Sequence, residues 1–231
     1  MQRTCFDSVL IAWLYCSMAA VHAQDTVVPA KEEPRHRIKL ENEVVRIVDV
    51  EIPPGDRTLM HEHSNNYAYL MVSAARLRNE VPGKPAADID IAAGLVGYYR
   101  ASQGAYVHRF SNIGESPFRA IGIELLSASA APEVATPIDS ATGYVTVLDN
   151  ERVRAYRLLL QPGQSTGVVQ LPPRTVRVAG SAANIVERGV DGVTRELKLT
   201  PAQFEWRAEA AALAVENTGS APAELYQFEL K

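Results

Sequence analysis

Short apolar runs separated by polar punctuation dominate the chain beyond its first thirty residues. Val44 to Ile52, Tyr67 to Val72, Tyr106 to Phe110 and Phe118 to Leu126 are rich in valine, isoleucine, leucine and tyrosine, and Pro-Gly and Asn-Ile-Gly turns lie between them. β-branched and aromatic residues suit a pleated surface, and strands at this spacing predict a sandwich or barrel. No long segment carries apolar residues at a 3.6-residue period, so helices should be few and short. The expected fold class is all-β.

The pattern occurs twice. Asn42-Glu43-Val44-Val45-Arg46 returns as Asn150-Glu151-Arg152-Val153-Arg154, and Pro54-Gly55 returns as Pro162-Gly163 at the same offset. Asn112-Ile113-Gly114-Glu115-Ser116-Pro117 returns as Asn217-Thr218-Gly219-Ser220-Ala221-Pro222 near the end of each half. Such self-similarity marks an internal duplication. The small, proline-containing stretch from Ser127 to Ser140 reads as a connector. The expected layout is a leader over 1–23, a polar lead-in over 24–36, a first barrel over 37–126, a linker over 127–140 and a second barrel over 141–231.

Candidate chemistry sits in one half only. In Met60-His61-Glu62-His63 the alternation of a strand puts the two imidazoles on one face and Glu62 on the other. Carrying the offsets forward sets His61 against Val169, His63 against Leu171 and His108 against Leu213. Aliphatic residues at those positions indicate an inward face. Imidazoles buried there need partners, because an unsatisfied polar group in an apolar interior costs about 2 kcal/mol or more.

Composition narrows the function classes. The 231 residues are 47% apolar, enough for a sizeable core, and 23 basic against 27 acidic residues give a net charge of -4 without long runs of one sign. Nothing marks a nucleic-acid or polybasic membrane surface, so small molecules are the expected partners; a homodimer is compatible with the sequence. Arg3, the apolar run from Val9 to Ala20 and Val21-His22-Ala23 before Gln24 have the layout of a cleaved secretory signal, too short to span a bilayer comfortably. Cys5 and Cys16 are the two cysteines and both fall in it, so the mature chain would be cysteine-free, consistent with a periplasmic or secreted protein that needs no disulfide.

These residues resemble the two motifs of the cupin superfamily. The first is a glycine, five residues, His-x-His, then a glutamate and a glycine; Gly55, His61 and His63 match it in order and spacing. Gly97, His108 and Asn112 match the second. Tyr67 stands where the family's glutamate ligand would be, Ala74 replaces the following glycine, and Gln103 and Ala105 replace a proline and a glycine of the second motif. With its duplicated half the chain is similar to a bicupin over about Arg37 to Lys231. The resemblance implies two tandem cupin barrels of the double-stranded β-helix, or jelly-roll, type. It also implies one divalent metal held by His61, His63 and His108 in the first barrel, and none in the second.

Three imidazoles would leave a side of the ion open to water or substrate. Imidazole suits iron, zinc, nickel and copper, and manganese remains compatible; three-histidine members of the family point to Fe(II) and to dioxygenase chemistry on a small organic substrate. The alternative is a non-catalytic protein that binds a metal or small molecule. Tyr67, the candidate catalytic residue, has three readings: phenolate ligand, hydrogen-bond partner of a bound oxygen species, or lumen filler. Arg76, Arg78 and Arg100 are candidates for an anionic substrate if any reaches the lumen, and Asn112 is read as shaping a turn because Asn217 repeats it. Mass spectrometry of protein recovered after export should show a chain starting at Gln24; an intact Met1 terminus in the membrane fraction would refute the signal.

Overall fold

The computed structural model describes residues 26–101, 104–127 and 136–231. The expected leader, with Cys5 and Cys16, and most of the connector lie outside the described residues. The described chain is almost entirely strand, interrupted by single 3-10 turns, with no α-helix among those residues.

The first half contributes β1 (Val28–Pro29), β2 (His36–Glu41), β3 (Val45–Ile52), β4 (His61–His63), β5 (Tyr67–Met71), β6 (Ala75–Glu80), β7 (Ala87–Ile91), β8 (Val96–Tyr99), β9 (Tyr106–Asn112) and β10 (Phe118–Leu125). They form two sheets, ordered β1-β4-β9-β6-β7 and β2-β3-β10-β5-β8. The second half contributes β11 (Tyr144–Asp149), β12 (Val153–Leu160), β13 (Ser165–Leu171), β14 (Thr175–Ala179), β15 (Ala183–Gly189), β16 (Thr194–Leu199), β17 (Phe204–Arg207), β18 (Ala211–Asn217) and β19 (Ala223–Leu230). Their sheets run β11-β12-β19-β14-β17 and β13-β18-β15-β16. Non-sequential neighbours in every sheet are the signature of a jelly roll. The segment read as a polar lead-in supplies β1, which pairs in parallel with β4, Val28 opposite His61.

The duplication extends to single bonds. Asn112 donates from its amide nitrogen to the Ile52 and Ser116 carbonyls at 2.8 and 2.9 Å and accepts from Gly114 N–H at 3.0 Å. Asn217 does the same with Leu160, Ala221 and Gly219, each at 2.9 Å. Each asparagine also ties its backbone carbonyl to the N–H of a turn glycine, Gly55 or Gly163, whose φ values of 76° and 77° lie in the left-handed region. The first edge strand of each half carries a bulge at the same place, between Ile38 and Leu40 and between Thr146 and Leu148.

The halves meet through the two sheets that lie between their lumens. Ile47, Ala68, Leu70, Ile121 and Ile123 of the first half form one buried cluster with Val153, Val176, Val178, Tyr226 and Phe228 of the second. A sheet buried on both faces must be apolar on one and can be specialised on the other. Since the halves share this cluster, Phe228→Ala should cost about 3 to 5 kcal/mol and lower the denaturant midpoint of both halves together, read by circular dichroism and tryptophan fluorescence. Separate transitions for the two probes would show that the halves are energetically independent.

Candidate metal centre

Strand register assembles the histidines. His61 on β4 lies directly opposite His108 on β9, and His63 lies opposite Tyr106. Residues opposite each other in an antiparallel pair share a face, so all four rings enter the first lumen. Glu62 alternates outward, where it accepts a 3.0 Å hydrogen bond from Ser64. The second half keeps the same pairing without the chemistry: Val169 lies opposite Leu213.

The structure adds a histidine that the motif spacing does not include. His36 opens β2 in the facing sheet, opposite Val50, and its ring lies 4.6 Å from that of His61 and 5.7 Å from that of His63. One ligand atom each from His36, His61 and His63 can be chosen so that all lie within 4.8 Å of one another. Two ligands on opposite sides of an ion with bonds of about 2.1 Å are about 4.2 Å apart, so the set is close to what one ion requires. His108 stands against this group, its ring 4.5 Å from His61 and 5.3 Å from His63. A signal for His36 was present in sequence: extending the repeat upstream sets it against Tyr144, which is buried in the second half.

Tautomers are fixed by the backbone at two of the rings. His61 donates from Nδ1 to the Leu59 carbonyl at 2.9 Å, and His36 donates from Nδ1 to the Ala30 carbonyl at 2.9 Å. Each therefore carries a bare lone pair on Nε2, the arrangement that orients a metal-ligating imidazole. His61 Nε2 lies 3.1 Å from His63 Nε2, about the edge expected between neighbouring ligands of one ion. The Nδ1 atoms of His63 and His108 are buried without a hydrogen-bond partner. The donor set fits a divalent ion of borderline softness.

Burial holds the imidazoles neutral. It is the largest cause of the downward shift in all four; His36 falls to about 3 and His63 to about 2, with the nearby His61 adding to both, and His61 and His108 move the same way.

Aromatic rings complete the wall. Tyr67, from β5 in the facing sheet, stacks on His63 at 4.5 Å with an interplanar angle of 27°, and Tyr106 stacks on His108 at 4.4 Å and 25°. Burial, then the neighbouring phenols, push the Tyr67 hydroxyl far above the usual range, so it remains a hydrogen-bond donor. Tyr69 faces inward beside it, and Tyr99 joins the stack at 5.5 Å from Tyr67. Tyr98 borders the cavity and packs on the core between the halves.

Glu124, also on the wall, went unnoticed as a site residue in sequence. It is buried and paired with Arg46 at 2.5 Å, while Arg46 also holds Glu41 at 2.6 Å. The second half repeats this as Arg154 with Glu229 at 3.5 Å and Asp149 at 3.1 Å. A triad kept where the histidines are absent serves the fold. The three arginines considered for an anionic substrate make ion pairs outside the lumen, Arg76 with Asp90 at 3.9 Å, Arg78 with Asp88 at 2.7 Å and Arg100 with Glu151 at 2.6 Å.

No protein-family model matches this sequence, and no curated protein sequence matches it either. Solved structures do. AerE from Microcystis aeruginosa superposes with a TM-score of 0.54 at 11% identity over 86% of this chain and 98% of its own. A salicylate 1,2-dioxygenase from Pseudaminobacter salicylatoxidans gives 0.55 at 11% over 80% and 71%, and an oxalate decarboxylase from Bacillus subtilis gives 0.53 at 12% over 81% and 69%. The last two are bicupins. The chain therefore has the tandem cupin fold, all-β with two jelly rolls, and its first lumen carries a histidine cluster of the kind that binds a divalent metal.

The metal-free protein should lose stability as acid reaches these rings. Unfolded histidine titrates near 6.5, so below that pH the unfolded chain binds more protons than the folded one, and stability falls with pH from about 6.5 toward the lowered values. Each buried imidazole contributes a slope of at most about 1.4 kcal/mol per pH unit. Urea midpoints measured between pH 7 and 5 should decline less steeply in the His36→Gln, His63→Gln double variant; an identical decline would place the acid sensitivity elsewhere.

Proposed function

We propose that this protein is an exported metal-dependent oxidoreductase, with Fe(II) as the leading metal, that uses oxygen to oxidise a small organic substrate in its first barrel. His36, His61, His63 and His108 would hold the ion. The observation that carries the reading is the cluster of His36, His61 and His63, with ligand atoms within 4.8 Å of one another and the first two rings anchored to backbone carbonyls through Nδ1, next to a cavity of about 420 Å³ that His36 and His63 line. A wholly structural site would be closed; this one borders space for a ligand. Similarity of fold to a salicylate dioxygenase supports dioxygenase chemistry, and the oxalate decarboxylase structure is described by its Mn(II) centres, which supports a divalent ion.

When bound, the dication would act as a Lewis acid toward an enolic or phenolic oxygen and lower its pKa. The chain's own residues do the rest. Leu59 and Ala30 carbonyls fix two ring orientations, Tyr67 and Tyr106 press on the faces of His63 and His108, and the apolar wall beyond them, including Phe110 and Phe118, keeps water from the ligand's body. Tyr67 keeps its proton and would donate a hydrogen bond to an oxygen bound at the ion.

Reconstituted wild type should retain about one ion per chain by elemental analysis. His61→Ala should lose it, because a site worth roughly 10 kcal/mol or more in total gives up about 2 to 4 kcal/mol with each ligand. His36→Ala should weaken binding comparably, and Tyr67→Phe should keep the metal. Stoichiometric metal in His61→Ala would refute the site. An iron-loaded wild type that consumes no oxygen with catechol or 2,4-pentanedione would move the balance to a non-catalytic binding protein.

A further inference from the structure

Resting on that reading of the site, we propose that the cavity selects an uncharged, ring-sized ligand with hydroxyl or enolic oxygens for the ion, and rejects analogues that carry a carboxylate away from it. Among the described residues the cavity has no lysine or arginine on its wall. Its one acidic side chain among the described residues, Glu124, is already paired with Arg46 and offers an anion no counter-charge. A carboxylate that reaches beyond the ion must leave water and meet aromatic rings, aliphatics and an amide, none of them cationic, and a buried charge without a partner is strongly disfavoured.

The polar groups that are present suit a neutral ligand. The Tyr67 and Tyr69 hydroxyls have no hydrogen-bond partner among the described residues. Asn79 donates from its amide nitrogen to the Tyr106 hydroxyl at 2.9 Å, and its carbonyl oxygen is buried with no partner. The two phenol hydroxyls are uncharged donors beside the lumen, and the Asn79 carbonyl is an uncharged, unpaired acceptor just behind its wall. Tyr69 is fixed there by Gly97: a Cβ at that position would come within 2.2 Å of the Tyr69 ring, so only glycine lets the phenol lie across the strand.

The neutrality is not imposed by the fold. At the repeat offset Tyr69 corresponds to Arg177 and Asn79 to Glu187, and in the second half these two are buried and form an ion pair across the lumen. The same two backbone positions thus accept full charges in one half and carry uncharged hydrogen-bonding groups in the other. Carboxylate ligands such as the gentisate bound in one salicylate dioxygenase structure are then the class this cavity should discriminate against.

A matched pair isolates the charge. Catechol and 3,4-dihydroxybenzoate offer the same two metal-binding oxygens and differ by one carboxylate on the far side of the ring. Zinc-loaded protein avoids turnover, and titration calorimetry at pH 7.5 should show catechol binding at least about tenfold more tightly. Ile89→Lys and Met71→Lys, each checked for native circular dichroism, place a cation on the wall and should narrow that ratio. Equal or tighter binding of the acid, no binding of either compound, or an unchanged ratio in a folded lysine variant would overturn the inference. Elemental analysis of the same samples separates the two readings. If no zinc is retained, the metal site fails, and phenol against 4-hydroxybenzoate on the metal-free protein still tests the charge preference, with equal affinity overturning it.

Discussion

Everything about the site depends on a sheet that is buried on both faces. Along β5, Ala68 and Leu70 point into the core shared by the two halves while Tyr67, Tyr69 and Met71 point into the lumen. Along β10, Ile121 and Ile123 take the first role while Ala120, Gly122 and Glu124 take the second. A strand's period of two lets one stretch of chain do both jobs, and a slip of one residue would exchange them. The aliphatic cluster between the halves therefore does more than add burial. It fixes the register that aims Tyr67 at His63 and holds the wall of the cavity at a set distance from the opposing histidine strands.

Duplication then separates what the fold needs from what the site needs. Both halves keep the asparagine that closes the last turn, the left-handed glycine it binds, the bulge in the first edge strand, and the arginine held between two carboxylates. These features recur where no imidazole does, so they belong to the fold. The differences lie in the lumens. Val169, Leu171 and Leu213 fill the second with aliphatic volume, and Arg177 with Glu187 ties its two sheets together. The second half has become a packed support, and the first has kept space beside four rings.

The fold was legible because its landmarks are local: Pro-Gly turns, Asn-x-Gly-x-x-Pro turns and runs of alternating apolar residues all survive in one sequence, twice. His61, His63 and His108 were legible by spacing, and the register of β4 against β9 brings them into one lumen. His36 was not, because its place beside them arises across two sheets and it precedes the first landmark of the repeat. β1 was invisible for a similar reason, since two residues pairing with β4 leave no periodic pattern. Glu124 reads in sequence as one more residue of a β-strand; only the inward face of β10 and the guanidinium of Arg46 give it a location and a partner.

Tyr67, standing where the cupin pattern has a glutamate, and the absence of cations among the described wall residues bear on the same electrostatics. Four neutral imidazoles would leave a bound dication with its full charge, and the one carboxylate among the described wall residues is already balanced by Arg46. The ion would then be the single uncompensated charge facing the cavity, and an oxygen that gives up its proton on binding is the ligand that best neutralises it. A second negative group on the same molecule would find nothing to balance it on a wall of phenols, aliphatics and one amide. A glutamate among the ligands would have lowered the charge at the ion, and an arginine on the wall would have rewarded a distant carboxylate. Among the described residues the lumen has neither, and on the proposed reading its electrostatics would favour a ligand that presents one acidic oxygen site to the ion and an uncharged body to the rest of the barrel.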